Sequence, residues 1–265
     1  MSLVASVGRA TIRQVEYVGL LAIQFWHGLR LSLRVNPFAG RRLRWKRALE
    51  QMAEIGVRSL PVLCVVSGAT GMIMALQSGA ELRKFGAMDA IINLVGTSMT
   101  RELGPLIAAI VVIGRSGSAI SAEVATMVVT EEVDALRAMA LDPLDFVLVP
   151  KYLAMLVTMP CVTVMGVFSG ILAGGVFAHF TLDITLLMYL QRTVEILLMR
   201  DILSGLVKAL VFGSIIVHVG CLEGFLVTGG PEGVGRSTTS AVVKSIFLVI
   251  LADLLCTAFF YFFWR

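Results

Sequence analysis

Five long apolar runs constrain this chain more than any other feature of its sequence. Hydrophobic residues make up 57% of the 265 residues and charged residues only 15%, whereas soluble domains average about 45–50% and about 25%. A helix needs about 20 apolar residues to cross the hydrocarbon of a bilayer, and each run is long enough. The sequence therefore predicts an all-α polytopic membrane protein whose five transmembrane helices cover Val57–Gly79, Ala90–Ile120, Phe146–Phe180, Ile202–Thr228 and Ala241–Trp264.

Positive charge before the first run indicates the orientation. Ten of the 22 Lys and Arg residues lie between Arg9 and Arg58, most densely in Arg41-Arg42-Leu43-Arg44-Trp45-Lys46-Arg47. Basic segments next to membrane helices are retained in the cytoplasm. We therefore predict a cytoplasmic N-terminus and, after five crossings, a C-terminus on the external side. The external loops would be Ala80–Asp89 and Thr181–Asp201, and the internal loops Ser121–Asp145 and Gly229–Ser240.

The N-terminal 50 residues are predicted to form a unit of their own before a membrane domain at residues 51–265. Arg9 and Arg13 are four residues apart, as are Arg30 and Arg34, and apolar residues lie between the two pairs. Residues four apart share a helix face. We interpret the segment as an amphipathic helix lying along the membrane interface, followed by a basic cytoplasmic stretch. A shallow, tilted insertion into the membrane is the alternative.

Two adjacent charges occur inside the second run. Arg101 and Glu102 lie about ten residues into a helix that rises 1.5 Å per residue, so roughly 15 Å deep. A lipid-facing charge at that depth costs at least about 2.5–3.5 kcal/mol, and sequence neighbours point to different sides of a helix. Pro105 also leaves the carbonyl of Arg101 without its helical donor. Each charge therefore needs a partner elsewhere or a place in the wall of a wet or polar cavity. The two interpretations are a buried structural ion pair and a substrate cavity, and we favour the cavity.

A short acidic helix is predicted on the cytoplasmic side, between the second and third runs. Thr130 can cap its N-terminus, acidic residues suit its first turn, and Asp142-Pro143 ends it. Its apolar residues share one face, which suits docking into a groove of a soluble partner; a merely interfacial connector is the alternative. The coupling residues predicted on this helix are Thr130, Glu131, Glu132, Val133, Asp134, Leu136, Arg137 and Met139.

The sequence favours no catalytic site, cofactor or metal site in this chain. Its four cysteines and three histidines are scattered singly, without metal-ligand spacing. The segment from Gly230 to Ser237 comes close to a phosphate-binding loop, but Arg236 stands where that motif requires Lys and both flanks are apolar helices rather than a strand and a helix. We expect tight turns there, and any ATP to be bound by a partner.

Four ordered motifs carry a family resemblance. They are RELGP, GRSGSAISAE, TEEVDALRAM with the DP that follows it, and EGVGRSTTSAVV. They resemble the MlaE family of ABC transporter permeases, which serve phospholipid transport between the two membranes of Gram-negative bacteria. The match runs from about residue 50 to the C-terminus. This chain has Glu132 where the family commonly has Gln, which predicts a basic complement on the partner.

The resemblance implies a homodimeric permease of the Gram-negative inner membrane that is not itself an enzyme. The implied partners are an ABC ATPase subunit (MlaF-like) docked on the acidic helix, a periplasmic MCE-domain protein (MlaD-like) and often a STAS-domain protein (MlaB-like); no nucleic acid is implied. It also implies phospholipid bound between protomers. The implied substrate-binding residues are Arg101 and Glu102, and, outside the strong motifs, Met74 and Phe85.

Two other classes of function remain open from the sequence. A secondary transporter would use Glu102 as a proton-linked site and be driven by a gradient rather than by an ATPase. A lipid-modifying membrane enzyme would need paired His and Asp residues or an external nucleophile, and the sequence shows neither pattern.

Overall fold

A computed structural model describes residues 3–33, 41–85, 89–182 and 184–263, and this part of the chain is helical without strands. Short π-helical segments at Met99–Leu103, Ile113–Gly117 and Leu144–Leu148 and a 3₁₀ turn at Val57–Ser59 join some of the helices. The α-helices are α1 (Leu3–Leu33), α2 (Arg41–Ile55), α3 (Leu60–Lys84), α4 (Asp89–Ser98), α5 (Gly104–Val112), α6 (Ser118–Val129), α7 (Glu132–Ala138), α8 (Val149–Leu182), α9 (Leu186–Ile196), α10 (Met199–Phe225) and α11 (Gly230–Phe263).

Five helical segments are long and apolar enough to cross a membrane, as predicted. They are Ala48–Leu82, Ala90–Val129, Leu144–Thr181, Met199–Phe225 and Gly230–Phe263. The predicted all-α polytopic fold is thereby confirmed. The predicted end of the fifth run, Trp264, lies outside the described residues.

The predicted loops are shorter than expected because helices extend into them. The second segment stays helical to Val129, nine residues beyond its predicted end. The loop predicted at Thr181–Asp201 contains α9, and the one at Gly229–Ser240 is mostly the start of α11. Only Gly229 and Gly230, with φ of 92° and 68°, form the expected turn. Polar residues that suggest loops can stay helical where they face other helices, because the helix already satisfies its own backbone.

The predicted boundary at residue 50 falls within α2, which runs from Arg41 to Ile55 and leads directly into the first segment. The basic cluster lies at the start of α2, but its side chains lie outside the described ones. The interfacial helix is represented by α1, which is not among the five segments. Exposed apolar side chains on α1, such as Val15 at 67% and Ile23 at 61%, would suit a membrane surface. Its position in the membrane stays a prediction.

Small residues bring α3 and α8 into close contact. A Cβ on Gly71 would overlap the backbone of Gly170, and one on Gly174 would lie 3.2 Å from the carbonyl oxygen of Gly71. Such approach favours helix association where no hydrophobic effect acts between helices. These glycines therefore allow the two helix backbones to pack directly against each other. Gly114 in the second segment differs, since no described atom of a neighbouring element lies within 4 Å of a Cβ placed there.

Candidate functional site

The site begins at an irregularity in the second membrane segment. Arg101 and Glu102 lie in the π-helical turn Met99–Leu103, where the amide of Gly104 donates to the carbonyl of Met99. Pro105 follows at once, and it has no N–H to donate to the carbonyl of Arg101. A wider turn accommodates such a missing hydrogen bond, and π-turns inside helices are frequent at functional sites. The Gly104-Pro105 break therefore shapes the backbone that presents both charges.

Glu102 belongs to a charged network that joins three membrane segments. Its carboxylate pairs with Lys208 of α10. The Lys208 ammonium also contacts Asp253 at 2.8 Å and donates to the Thr257 hydroxyl at 2.7 Å, both on α11. The Thr257 hydroxyl in turn lies 3.2 Å from Glu102. Only 1% of the Lys208 side chain is exposed, and its three N–H donors therefore face three acceptors. We call Glu102, Lys208, Asp253 and Thr257 the charged network.

Arg101 finds a separate partner on the same helix as Lys208. Its Nε lies 3.7 Å from a carboxylate oxygen of Asp201. Asp201 is buried and also accepts the amide of Leu198 at 3.1 Å, which caps the start of α10. Asp201 and Lys208 are seven residues, about two turns, apart and so share one face of α10. The expectation that each charge has its partner elsewhere in the chain is confirmed.

Both charges are paired but not sealed. The side chain of Glu102 remains 37% exposed and that of Arg101 42%. The buried members, Lys208 and Asp201, lie behind them. Arg101 and Glu102 thus form structural ion pairs, which was one interpretation of the sequence. Their exposed faces are compatible with the other interpretation, in which these side chains line a substrate cavity. That role stays a prediction.

The two weaker candidates make none of the hydrogen bonds or ion pairs of the charged network. Met74, on α3, is half-buried against a cluster of buried side chains that includes Ala75, Val95 and Tyr189. Phe85 follows the end of α3 and is 80% exposed. A role for either residue in substrate binding stays a prediction.

Three functional candidates of the site were not singled out from the sequence: Lys208, Asp253 and Asp201. Lys208 and Asp253 are charged residues inside predicted membrane runs, so the depth argument applied to Arg101 and Glu102 could have found them. Asp201 stands at the boundary of a predicted loop, where an acidic residue is unremarkable. Their mutual contacts depend on how α10 and α11 pack, which no spacing in the sequence reveals.

The acidic helix, α7, differs from the prediction at both ends. Glu131 rather than Thr130 is its N-cap, and the Thr130 hydroxyl instead donates to the Thr126 carbonyl at 3.0 Å. Leu141 donates to the carbonyl of Leu136 and Ala140 to that of Arg137, both at 3.0 Å. This is the Schellman pattern of a helix C-terminus, and it ends the helix before Asp142-Pro143.

The apolar face of α7 points inward. Val133 and Leu136 are 4% and 6% exposed, and Leu136 belongs to the main hydrophobic core of the chain. The expectation that these two side chains enter a partner's groove is therefore wrong, because they already pack on this chain. The exposed face carries Asp134, Arg137 and Met139, the last 62% exposed. Any contact of α7 with a partner would use that face.

A second set of charges ties α1 to the bundle. Glu223 of α10 is buried and pairs with Lys244 of α11 at 2.7 Å. The Lys244 ammonium lies 4.1 Å above the ring of Tyr17 in α1. Burial, and then the nearby Glu223 carboxylate, raise the pKa of Tyr17. Further along α1, Gln24 donates to the His218 carbonyl at 3.3 Å.

Known proteins resemble this chain over most of its length. The profile of the family described as Permease MlaE matches residues 48–259. A probable ABC transporter permease protein of Rickettsia prowazekii (strain Madrid E) is 38% identical over 255 residues, 96% of this chain and 96% of that protein. A probable ABC transporter permease protein of Synechocystis is 36% identical over 80% of this chain and 81% of that protein. The chloroplast protein TRIGALACTOSYLDIACYLGLYCEROL 1 of Arabidopsis thaliana is 33% identical over 89% of this chain and 69% of that protein.

Proposed function

Because this chain belongs to the MlaE family of ABC transporter permeases, we propose that it moves phospholipid between the inner membrane and a periplasmic MCE-domain carrier. In this proposal two copies form the permease, and a separate ATPase subunit supplies the energy. An MlaD-like protein would be the carrier, and an MlaB-like STAS protein an auxiliary subunit. The cytoplasmic N-terminus and periplasmic C-terminus belong to the same proposal.

The half-exposed pair Arg101 and Glu102 is the observation that carries the phospholipid proposal. The two side chains lie deep in a membrane segment, backed by Asp201 and Lys208. A phosphate accepts hydrogen bonds from a guanidinium, so a head group can bind the exposed side of Arg101 while its Nε keeps the contact with Asp201. An Arabidopsis relative, named after a galactosyl diacylglycerol, is consistent with a glycerolipid substrate.

The second membrane segment offers a direct mechanical connection to an ATPase. It runs as one helix from Ala90 to Val129, interrupted only by two π-turns. Glu102 lies in the first of these turns, and α7 follows the far end. Force applied to the exposed face of α7 would therefore move the backbone that carries Glu102. In our proposal, ATP-driven closure of the ATPases displaces α7 and narrows the lipid site.

The proposal is tested with the purified complex in lipid vesicles. We expect ATP-dependent transfer of a fluorescent phospholipid to the MCE protein, and no transfer with an ATPase that cannot hydrolyse ATP. Replacing Arg101 and Glu102 together by Ala should reduce co-purified phospholipid while leaving the complex assembled. Transfer at an equal rate without hydrolysis, or unchanged bound lipid in the variant, would refute the proposal.

A proton-coupled secondary transporter is the second candidate, and one contact favours it. Lys208 pairs with two carboxylates, Glu102 and Asp253, and ionisable groups that meet inside membrane segments form the proton relays of pumps and transporters. Such a site can carry a proton. This candidate predicts lipid movement driven by a pH gradient in vesicles that contain this chain alone, whereas the first predicts none.

A further inference from the structure

We propose that a groove between α8, α9 and α10, beside Arg101 but outside the charged network, binds one acyl chain of a membrane phospholipid. The groove has a volume of about 440 Å³, within the range of small-molecule sites. Its walls come from α8, α9 and α10 and from Thr100 in the π-turn. The inference rests on the proposed function for one point, that the substrate is a phospholipid.

The walls of the groove are apolar almost throughout. Three threonines line it, and the other lining residues are aliphatic, Phe or Gly. Thr100 and Thr193 turn their hydroxyls to their own helices, to the carbonyls of Gly96 and Tyr189, each at 2.8 Å. Both hydroxyls are thereby paired within the protein and need no polar partner from a ligand. A hydrocarbon chain is the ligand that such a surface accommodates without leaving polar groups unpaired.

The third threonine, Thr163, points to an ester lipid. Its side chain is 2% exposed, and its hydroxyl has no hydrogen-bond partner among the described residues. A buried donor left unsatisfied is unfavourable, and most buried polar groups are paired. The ester carbonyl at the head of an acyl chain is an acceptor that would satisfy this donor. A pure hydrocarbon would not.

The groove opens sideways, toward the surroundings of the membrane segments. Val164 and Phe168 on α8 are 50% and 58% exposed, and Val194 on α9 is 76% exposed. Val164 and Phe168 lie in the third membrane segment, so in this proposal the phase beside them is lipid. A chain can thus enter the groove from the membrane without any rearrangement of the bundle.

Arg101, next in the chain to the groove residue Thr100, favours a phospholipid over a ligand without a charged head group. Thr100 and Ile202 line the groove, and Arg101 and Asp201, their chain neighbours, form the ion pair described above. The Arg101 side chain is 42% exposed. Its guanidinium complements a phosphate attached to a chain in the groove. We infer that the groove holds a lipid next to the charged network, on a lateral path to or from it.

Photo-crosslinking of the full-length protein in lipid nanodiscs tests the site. The probe is a phosphatidylglycerol with a diazirine near the end of one acyl chain, and labelled peptides are identified by mass spectrometry. We expect label to concentrate on the groove residues of α8 and α9. Label spread evenly over all exposed apolar faces, such as that of α11, would overturn the proposal.

Two tryptophan variants of α8 form a matched pair. Val164→Trp should fill the groove and lose most of the label. Val157→Trp should keep it, because Val157 is equally exposed, at 51%, but does not line the groove. Equal labelling of both variants would refute the site. If Val164→Trp does not fold, Val194→Trp fills the groove from α9 and is held to the same result.

Two further measurements separate the parts of the proposal. Thr163→Val should lower phospholipid labelling, because it removes the hydroxyl that would donate to the ester carbonyl. Unchanged labelling would refute this hydrogen bond. A diazirine diacylglycerol, which keeps the esters but lacks the phosphate, should label the groove less than the phospholipid does at the same concentration, and equal labelling would rule out a head-group contribution. Because none of these measurements needs ATP, a failure of ATP-driven transfer with groove labelling intact would refute the proposed function and leave the site standing.

Discussion

Replacement of Lys208 by Met should reveal how much the charged network stabilises the fold. The change removes a cation that is 1% exposed and leaves Glu102 and Asp253 facing each other without a counter-charge. Breaking a buried ion pair costs about 3–5 kcal/mol. Because Glu102 is more than a third exposed, part of that cost is relieved by its surroundings. We therefore expect a loss of about 3 kcal/mol in the free energy of unfolding.

Reversible unfolding in mixed micelles, followed by circular dichroism, measures this loss. Lys84→Met is the control, because Lys84 and Glu81 form an ion pair at 2.9 Å with both side chains about two-thirds exposed, and such pairs contribute at most about 1 kcal/mol. Adding Glu102→Gln and Asp253→Asn to Lys208→Met removes the uncompensated charge and should recover most of the stability. A Lys208→Met variant that loses no more than the control would show that the network does not stabilise the fold.

Three other predictions concern single positions. Met139→Glu on the exposed face of α7 should abolish co-purification of the ATPase. Met188→Glu, an equivalent change at an exposed methionine of α9, should leave co-purification intact. Equal ATPase binding by both variants would refute the docking face. Gly71→Ala should destabilise the protein by about 1–3 kcal/mol or more, because the added Cβ meets the backbone of the facing helix. Gly114→Ala has open space around it and should be neutral or stabilise the protein by up to about 1 kcal/mol. Equal free energies of unfolding for the two variants would contradict this packing. Ala140→Gly should raise the free energy of unfolding by about 1 kcal/mol, because Ala140 has a φ of 58° and only glycine adopts that conformation at no steric cost. A lower melting temperature of this variant would contradict that reasoning.

Depth in the membrane made Arg101 and Glu102 recognisable from the sequence. Charge inside an apolar run is expensive wherever the chain folds, so a partner could be expected without knowledge of the fold. The identity of the partners could not, because Lys208 lies 106 residues from Glu102. The same reasoning applied to every charged residue of the runs would have named Lys208 and Asp253 as candidates, but not their contact.

The prediction for α7 failed for a different reason. Periodicity correctly placed Val133 and Leu136 on one face of a short helix, but periodicity alone does not say what covers an apolar face. Here the chain itself covers it. The ends of the helix were missed because Glu131 and Ala140 adopt left-handed conformations, which glycine or asparagine would have signalled and these residues do not.

What the sequence determined by itself is the number and order of the membrane helices, because hydrocarbon forces each apolar run to satisfy its backbone within a helix. That constraint is local, and it is visible in any run of about 20 apolar residues. Only the tertiary structure decided which charges meet, which face of α7 stays free and where the groove beside α9 forms. Those features depend on contacts between helices far apart in the chain, since small residues such as Gly71 set how closely the backbones approach and hence which side chains face each other.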